Sequence, residues 1–157
     1  MAAHLDERGE RSFVMLKPEA VQRGLVADLI QRFEKKGFKL IGMKMQVPSV
    51  GHVEAHYDEH RGKKFFEGLV KYMSSGPVIP MVWQGKGVVA TVRRMLGETD
   101  PANSSPGTIR GDFAIDLGRN MVHASDSVET AKREIKLWFK DEELFDWERA
   151  VESSVYE

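Results

Sequence analysis

The stretch Arg119-Asn120-Met121-Val122-His123-Ala124-Ser125-Asp126-Ser127-Val128-Glu129 places a histidine just ahead of a strong helix start. Ser127, or Asp126 with Glu129 three residues on, can cap that helix. Turning about 100° per residue from Val128 puts Ala131, Ile135, Trp138 and Phe139 on one apolar arc. Glu134 falls at the edge of the arc, near ~240°, while Glu129, Arg133 and Lys136 point away from it. Glu134 is therefore the acid on this helix best placed to meet a partly buried imidazole at His123. A carboxylate accepting from one ring nitrogen fixes the tautomer and leaves the other nitrogen's lone pair free to attack. A core-edge histidine and a solvated glutamate would give the same pattern. What favours chemistry is the cationic and hydroxyl set elsewhere: Lys17, Arg93, Thr99 and Arg110. Among such groups a histidine nucleophile suits an anionic, phosphorylated substrate, because arginine offers a planar fork for phosphate oxygens.

Three other motifs have plainer readings beside their chemical ones. Gly85-Lys86-Gly87-Val88-Val89-Ala90 fits a dinucleotide fingerprint, but the parallel βαβ unit that should follow is missing, and a strand-to-helix turn explains it as well. His52, His56 and His60 are four apart and would share a helix face, drifting only ~40° per step. Two imidazoles at that spacing could hold zinc, yet the intervening glutamate is misplaced for a zinc-protease motif. A solvated face or local hydrogen bonding is the alternative. Asn103-Ser104-Ser105 is a formal glycosylation acceptor that reads only as a surface loop. With no G-x-x-x-x-G-K-S/T loop and no protein-kinase signature, a nucleotide site here must be of another type.

These side chains need elements to position them. Phe13 to Leu16 is an apolar run consistent with a buried strand, ended by Lys17-Pro18. Leu25 to Phe33 has helical spacing, closed by Lys35, Lys36 and Gly37. Phe38 to Val47 alternates like a half-buried strand. Helical stretches follow from Pro48 toward Tyr57 and from Lys64 to Met73, which Ser74-Ser75-Gly76-Pro77 breaks. Val78 to Trp83 reads as a strand with an awkward Pro80, and Val88 to Leu96 as a helix. Glu98 to Gly107 is a loop, Thr108 to Asn120 is irregular, Met121 to Ala124 is a short strand, and Ser127 to Phe139 is a helix. The order predicts an α+β sandwich, with helices covering one mostly antiparallel sheet.

The 157 residues make about one domain. Residues 1–10 read as a solvated tail and 11–157 as a single domain. Lysine and arginine total 23 against 24 aspartates and glutamates, so the net charge is −1, which excludes a strongly basic nucleic-acid binder. There are no cysteines, so disulfides, thiolate zinc and cysteine nucleophiles drop out. No apolar run is long enough for a bilayer, and the polar opening is unlike a secretory signal. A cytoplasmic chain with no membrane partner is the expectation.

Five blocks in order make the chain resemble the nucleoside diphosphate kinases. They are Phe13 to Leu25 (FVMLKPEAVQRGL), Leu69 to Pro77 (LVKYMSSGP), Leu96 to Ala102 (LGETDPA), Ser105 to Phe113 (SPGTIRGDF) and Arg119 to Ser127 (RNMVHASDS). The resemblance implies a ferredoxin-like βαββαβ sandwich with a four-stranded antiparallel sheet. It implies transfer of a γ-phosphate from a nucleoside triphosphate to a nucleoside diphosphate by a ping-pong route through phosphohistidine. Mg²⁺ would ride on the nucleotide phosphates, with no metal held by protein ligands. His123 would attack through Nδ1 while Glu134 holds Nε2 and Ser125 supports Glu134. Lys17, Tyr57, Arg93, Thr99 and Arg110 would bind phosphates and ribose, with Asn120 helping on the sugar. Phe65 would stack on the base and Leu69 would line it. A homo-oligomer, usually a hexamer, is implied, and nucleic acid is not expected as the main partner. Ala124 and Val92 stand where such chains usually have glycine, and Asp100 where they usually have asparagine. If position 124 needs a positive φ, alanine there strains the site. Pro80 is expected at its strand's beginning or beside a bulge.

Overall fold

A computed structural model of the chain describes residues 7–157. Part of the expected tail, residues 1–6, lies outside the described residues. Of the remainder, Glu10 meets the body of the protein: its carbonyl accepts from Gly85 N at 3.0 Å, and its Oε2 accepts from Val89 N at 3.0 Å.

Four strands form one sheet: β1 (Arg11–Leu16), β2 (Lys39–Met43), β3 (Ile79–Gln84) and β4 (Val122–Ala124). Their spatial order is β2-β3-β1-β4, and every pairing is antiparallel. The helices are α1 (Pro18–Gln22), α2 (Val26–Lys36), α3 (Val50–His56), α4 (Phe66–Met73), α5 (Val88–Leu96), α6 (Ile109–Phe113) and α7 (Val128–Trp138). This is the ferredoxin-like βαββαβ arrangement, with a helical pair inserted between β2 and β3 and one helix added at the end.

β1 is central, and Phe13, Val14, Met15 and Leu16 have no exposed surface. Burial on both faces explains why the run is continuous rather than alternating. Val14 and Leu16 join Leu29 and Phe33 of α2, Val88, Val92 and Leu96 of α5, and Trp83 in one core layer. Phe13 and Met15 face the other way, onto Val53, Tyr57, Val70 and Trp138. Residues of one strand thus serve two cores, and β4 lies beside β1 with His123 paired to Met15.

Several local expectations are refined. The alternation from Phe38 to Val47 is cut short: β2 ends at Met43 after a register shift between Leu40 and Gly42, and only a single bridge, Gln46 to Val78, continues it. Lys17-Pro18 ends β1 but also starts a helix, with proline in its first turn. The irregular stretch after Thr108 contains α6, whose N-cap Thr108 accepts from Gly111 N. Pro80 is the second residue of β3, and its carbonyl accepts from Lys44 N at 3.2 Å. Among the described residues, no helix is long and apolar enough to cross a membrane.

Candidate active site

His123 stands on β4, whose neighbours Val122 and Ala124 are buried. Its Nε2 is 2.7 Å from Glu134 Oε2. Glu134 lies on the fully formed α7, capped by Ser127, whose Oγ accepts from Thr130 N at 3.0 Å. The carboxylate is 2% exposed. Its other oxygen, Oε1, accepts from Ser125 Oγ at 2.6 Å, and Ser125 N donates to Phe13 O at 3.0 Å, tying the turn to β1. A buried carboxylate beside an imidazole makes Nε2 the protonated nitrogen. Among the described residues, Nδ1 has no hydrogen-bond partner, and the side chain is 22% exposed. The lone pair of Nδ1 is thus available on the open side.

Arg93 and Arg110 reach the backbone on either side of His123, at Ala124 and Val122, and Lys17 reaches Asn120. Lys17 leaves the end of β1 with its N–H donating to Met121 O at 2.9 Å. Its Nζ donates to Asn120 Oδ1 at 2.7 Å, and Asn120 Nδ2 donates to Thr99 O at 2.9 Å. Burial, against the pull of Glu19 and with the push of Arg110 and Arg119, brings Lys17 down to about 8. Arg93 is exposed on α5, with Nη1 3.4 Å from Ala124 O. Arg110 is committed differently from a plain phosphate fork. Nε donates to Asn120 O, Nη1 to Gly97 O and Glu98 O, and Nη2 to Val122 O. Of its five N–H groups only one is left over, so Arg110 fastens the loop around the site as well as carrying charge into it. Burial, then Arg93, lowers it to about 10 against Glu98, still a cation at neutral pH.

Phe65 heads α4 with 53% of its surface exposed. The His60 ring meets it edge-on at 5.2 Å and stacks with Tyr57 at 6.1 Å. Tyr57 in turn stands edge-on to His123 at 6.2 Å, and its hydroxyl is buried without a partner among the described residues. Leu69 follows Phe65 one helical turn on and is half-buried. A line of rings therefore runs from Phe65 through His60 and Tyr57 to His123.

The three spaced histidines do not form a shared face. α3 ends at His56 and His60 falls in a separate 3₁₀ turn, Asp58–His60. The His52 ring packs edge-on to Trp138 at 4.3 Å, whereas His56 is buried beneath His123, ring centroids 4.5 Å apart. The one cluster among the described residues that could close on an ion is His56, His123 and Glu134. Trp138 Nε1 donates to His56 Nδ1 at 2.9 Å, and an indole can only donate. Nε2 of the neutral ring must then carry the proton, so it cannot ligate. The glycine motif at 85–90 is a strand-to-helix turn in an antiparallel sheet, and the Glu10 carboxylate occupies the N-terminus of α5, where a pyrophosphate would have to lie.

Glu19 escaped the sequence, and His56 was singled out there only as one of three spaced histidines. Glu19, 6% exposed, accepts from Met121 N at 3.1 Å and from the Tyr72 hydroxyl at 2.6 Å. It anchors Met121, the one non-glycine residue with positive φ (75°) among the described residues, two positions before His123. His56 was legible only in part: it follows the buried Val53 by three residues, which marks it as core-facing. Ala124 is not strained, for it sits in a strand, and Val92 is a buried residue of α5. Asp100 caps the turn Pro101–Asn103 by accepting from Ala102 N. A broad hollow of about 810 Å³ between residues 7–11 and the side of α7 that carries Val128, Lys132 and Ile135 is lined by none of these residues.

A family model described as nucleoside diphosphate kinase matches residues 10–144. The nucleoside diphosphate kinase of Acaryochloris marina is 58% identical over 148 residues, covering 94% of this chain and 99% of that one. Nucleoside diphosphate kinase B of Mus musculus is 57% identical over 148 residues, covering 94% and 97%. A solved structure of a halophilic nucleoside diphosphate kinase from Halobacterium salinarum in complex with CDP matches with a TM-score of 0.93 at 47% identity, covering 95% of this chain and 99% of that one. Agreement of this extent, in sequence and in backbone alike, means that the chain belongs to the nucleoside diphosphate kinase family.

Proposed function

We propose that this chain is a nucleoside diphosphate kinase working by a ping-pong route through phosphohistidine on His123. The observation that carries the reading is the His123–Glu134 pair at 2.7 Å with Nδ1 unoccupied on the open side. In the first half-reaction Nδ1 attacks the γ-phosphorus, the bond from that phosphorus to the bridging oxygen breaks, and a nucleoside diphosphate leaves. The proton stays on Nε2, where Glu134 balances the charge developing on the ring. In the second half-reaction a terminal oxygen of another nucleoside diphosphate takes the phosphoryl group back from Nδ1. The transition state spreads charge over the phosphoryl oxygens, so fixed cations and positioning carry most of the rate. Lys17, Arg93 and the remaining N–H of Arg110 supply that charge, Asn120 and Thr99 lie beside the sugar and phosphates, and Phe65 and Leu69 take the base. A π-face platform reads no base edges, so donors and acceptors of any base share one pocket.

Mg²⁺ fits this site as part of the nucleotide substrate. The groups facing the phosphates are cations rather than a carboxylate cage, and magnesium commonly reaches a protein on phosphates.

Assembly into a homo-oligomer, a hexamer by resemblance, is supported by apolar side chains along the β2 edge: Met43, Met45, Val47 and Phe145 are each about half or more exposed.

The test is a pulse of γ-labelled nucleoside triphosphate followed by mapping. The expected label is acid-labile, base-stable and confined to His123, and His123→Ala takes none. Normal labelling of that variant, or nucleotide binding without exchange by the unaltered chain, would overturn the reading.

A further inference from the structure

Glu19 and Tyr72 join two parts of the molecule that the mechanism above treats separately. Phe65, Leu69 and Tyr72 are spaced four and three apart. At about 100° per residue they fall within ~60° of one another on one face of α4, with Tyr72 about 10 Å along from Phe65. Val70 and Met73 of the same helix are buried in the core, so Tyr72 closes the face that carries the proposed base platform. Its hydroxyl donates to Glu19 Oε2 at 2.6 Å. The other oxygen, Oε1, accepts from Met121 N at 3.1 Å. Glu19 is 6% exposed, so neither bond is traded freely for one to water. The Tyr72 ring leads to the same place by a second route, since the Arg119 guanidinium lies 3.7 Å from its centroid. Both routes end in residues 119–121. Met121 holds a φ of 75° just ahead of the strand that carries His123. A non-glycine residue keeps that backbone conformation only where its surroundings fix it.

We propose that Glu19 and Tyr72 are positioning residues for the phosphotransfer, a strut between α4 and the turn at Met121 that sets the span from the base on Phe65 to the nucleophile His123. The proposal rests on the phosphohistidine reading. A nucleotide stacked on Phe65 delivers its phosphorus to Nδ1 only when the distance between helix and strand matches the length of the substrate. A misplacement of about 1 Å costs roughly a hundredfold in rate. Val70 and Met73 fix the inner side of α4, and the strut fixes the face that the base meets. A phosphoryl acceptor without a base does not depend on α4. Burial first, then the bond to Glu19, pushes the Tyr72 phenol up to about 12 against Arg119, so it remains a donor at neutral pH.

Tyr72→Phe cuts the strut at α4 and leaves the turn held by Lys17 N, which donates to Met121 O at 2.9 Å. Glu19→Gln rebuilds it, with the amide oxygen accepting from Met121 N and the amide N–H donating to the Tyr72 oxygen. That change also removes the charge that opposes the lowering of Lys17 by burial. Its effect falls on all acceptors alike, so a ratio is read rather than a rate. The full chain is phosphorylated with ATP and discharged in a single turnover by ADP or by ribose 5-diphosphate, which has no base. Stacking gives ADP its advantage, and Phe65→Ala removes it. In Tyr72→Phe the ratio of the two rate constants falls by about fivefold or more, toward that of Phe65→Ala, while ribose 5-diphosphate reacts as before. In Glu19→Gln the ratio is retained. A merely structural role slows both acceptors equally, and that result overturns the proposal, as does a ratio in Tyr72→Phe equal to the unaltered one.

A second readout is hydrogen exchange of the Met121 amide without nucleotide. It speeds by about tenfold in Tyr72→Phe and holds in Glu19→Gln; unchanged exchange in Tyr72→Phe overturns the strut. This readout judges the strut by itself if the unaltered chain takes up no phosphate, or if Phe65→Ala keeps the ADP advantage, since those results defeat the functional reading instead. If Tyr72→Phe does not fold, the unaltered chain is titrated with adenosine. Slower exchange at Met121 upholds the strut, and unchanged exchange overturns it.

Discussion

Ser125 acts on His123 through Glu134, whereas Lys17 is held beside Asn120. Ser125→Ala takes the donor from Glu134 Oε1 and leaves that oxygen buried and short of a partner, which costs about 1–3 kcal/mol. Were all of that cost to fall on the transition state, kcat/KM would drop roughly 5- to 150-fold. We expect a loss within that span, mostly in kcat, measured by coupled assay against the unaltered chain. Lys17 titrates unusually low, near 8. Its cationic form attracts phosphate, so nucleotide affinity holds below that pH and weakens as pH rises through it. A bound phosphate draws the proton back onto Nζ. Calorimetry of ADP binding in buffers of different ionisation enthalpy should therefore register proton uptake near pH 8, and Lys17→Ala should abolish that uptake.

At the scale of elements, the site depends on how α7 and the α6 loop are held. Ser127→Ala removes the N-cap of α7 and costs about 1 kcal/mol, which a thermal melt should register as a fall in Tm of roughly 2–4 °C. Gly111 is a tighter constraint, since a Cβ there would overlap the Ser105 carbonyl. Gly111→Ala should push α6 outward, loosen the Arg110 ties to Gly97 and Glu98, and destabilise by about 1–3 kcal/mol. The elements differ in how much of this the sequence discloses. The α7 arc, with Glu134 at its rim, is legible because 3.6-residue periodicity records which side chains turn inward. α1 and α6 are five residues each, too short to set up a period, and only Pro18 and Thr108 announce them. The contact of Glu19 with Met121 spans 102 positions, and no local spacing encodes it. The Phe13 to Leu16 run declared a buried strand but not that its two faces feed different cores. The site residues themselves were found through the resemblance more than the spacing, which by itself left His123 open to a purely structural role.

For the whole molecule, surface pattern and topology set the expectations. Among the described residues Met43, Met45, Val47 and Phe145 are exposed along the β2 edge, with Trp147 donating to Leu40 O nearby. Light scattering should give the mass of a hexamer for the unaltered chain. Met45→Glu with Val47→Glu should yield smaller species whose melts fall with dilution. Sheet order carries a consequence of another kind. β4 joins the sheet through only three register pairs, between residues 14–16 and 122–124, which are separated by most of the chain's length. A ribosome has released over a hundred further residues before β1 can meet its second neighbour. An incomplete nascent chain therefore has no seat for the nucleophile and spends no triphosphate, and competence arrives in one step when the last strand and the helix after it close over the sheet.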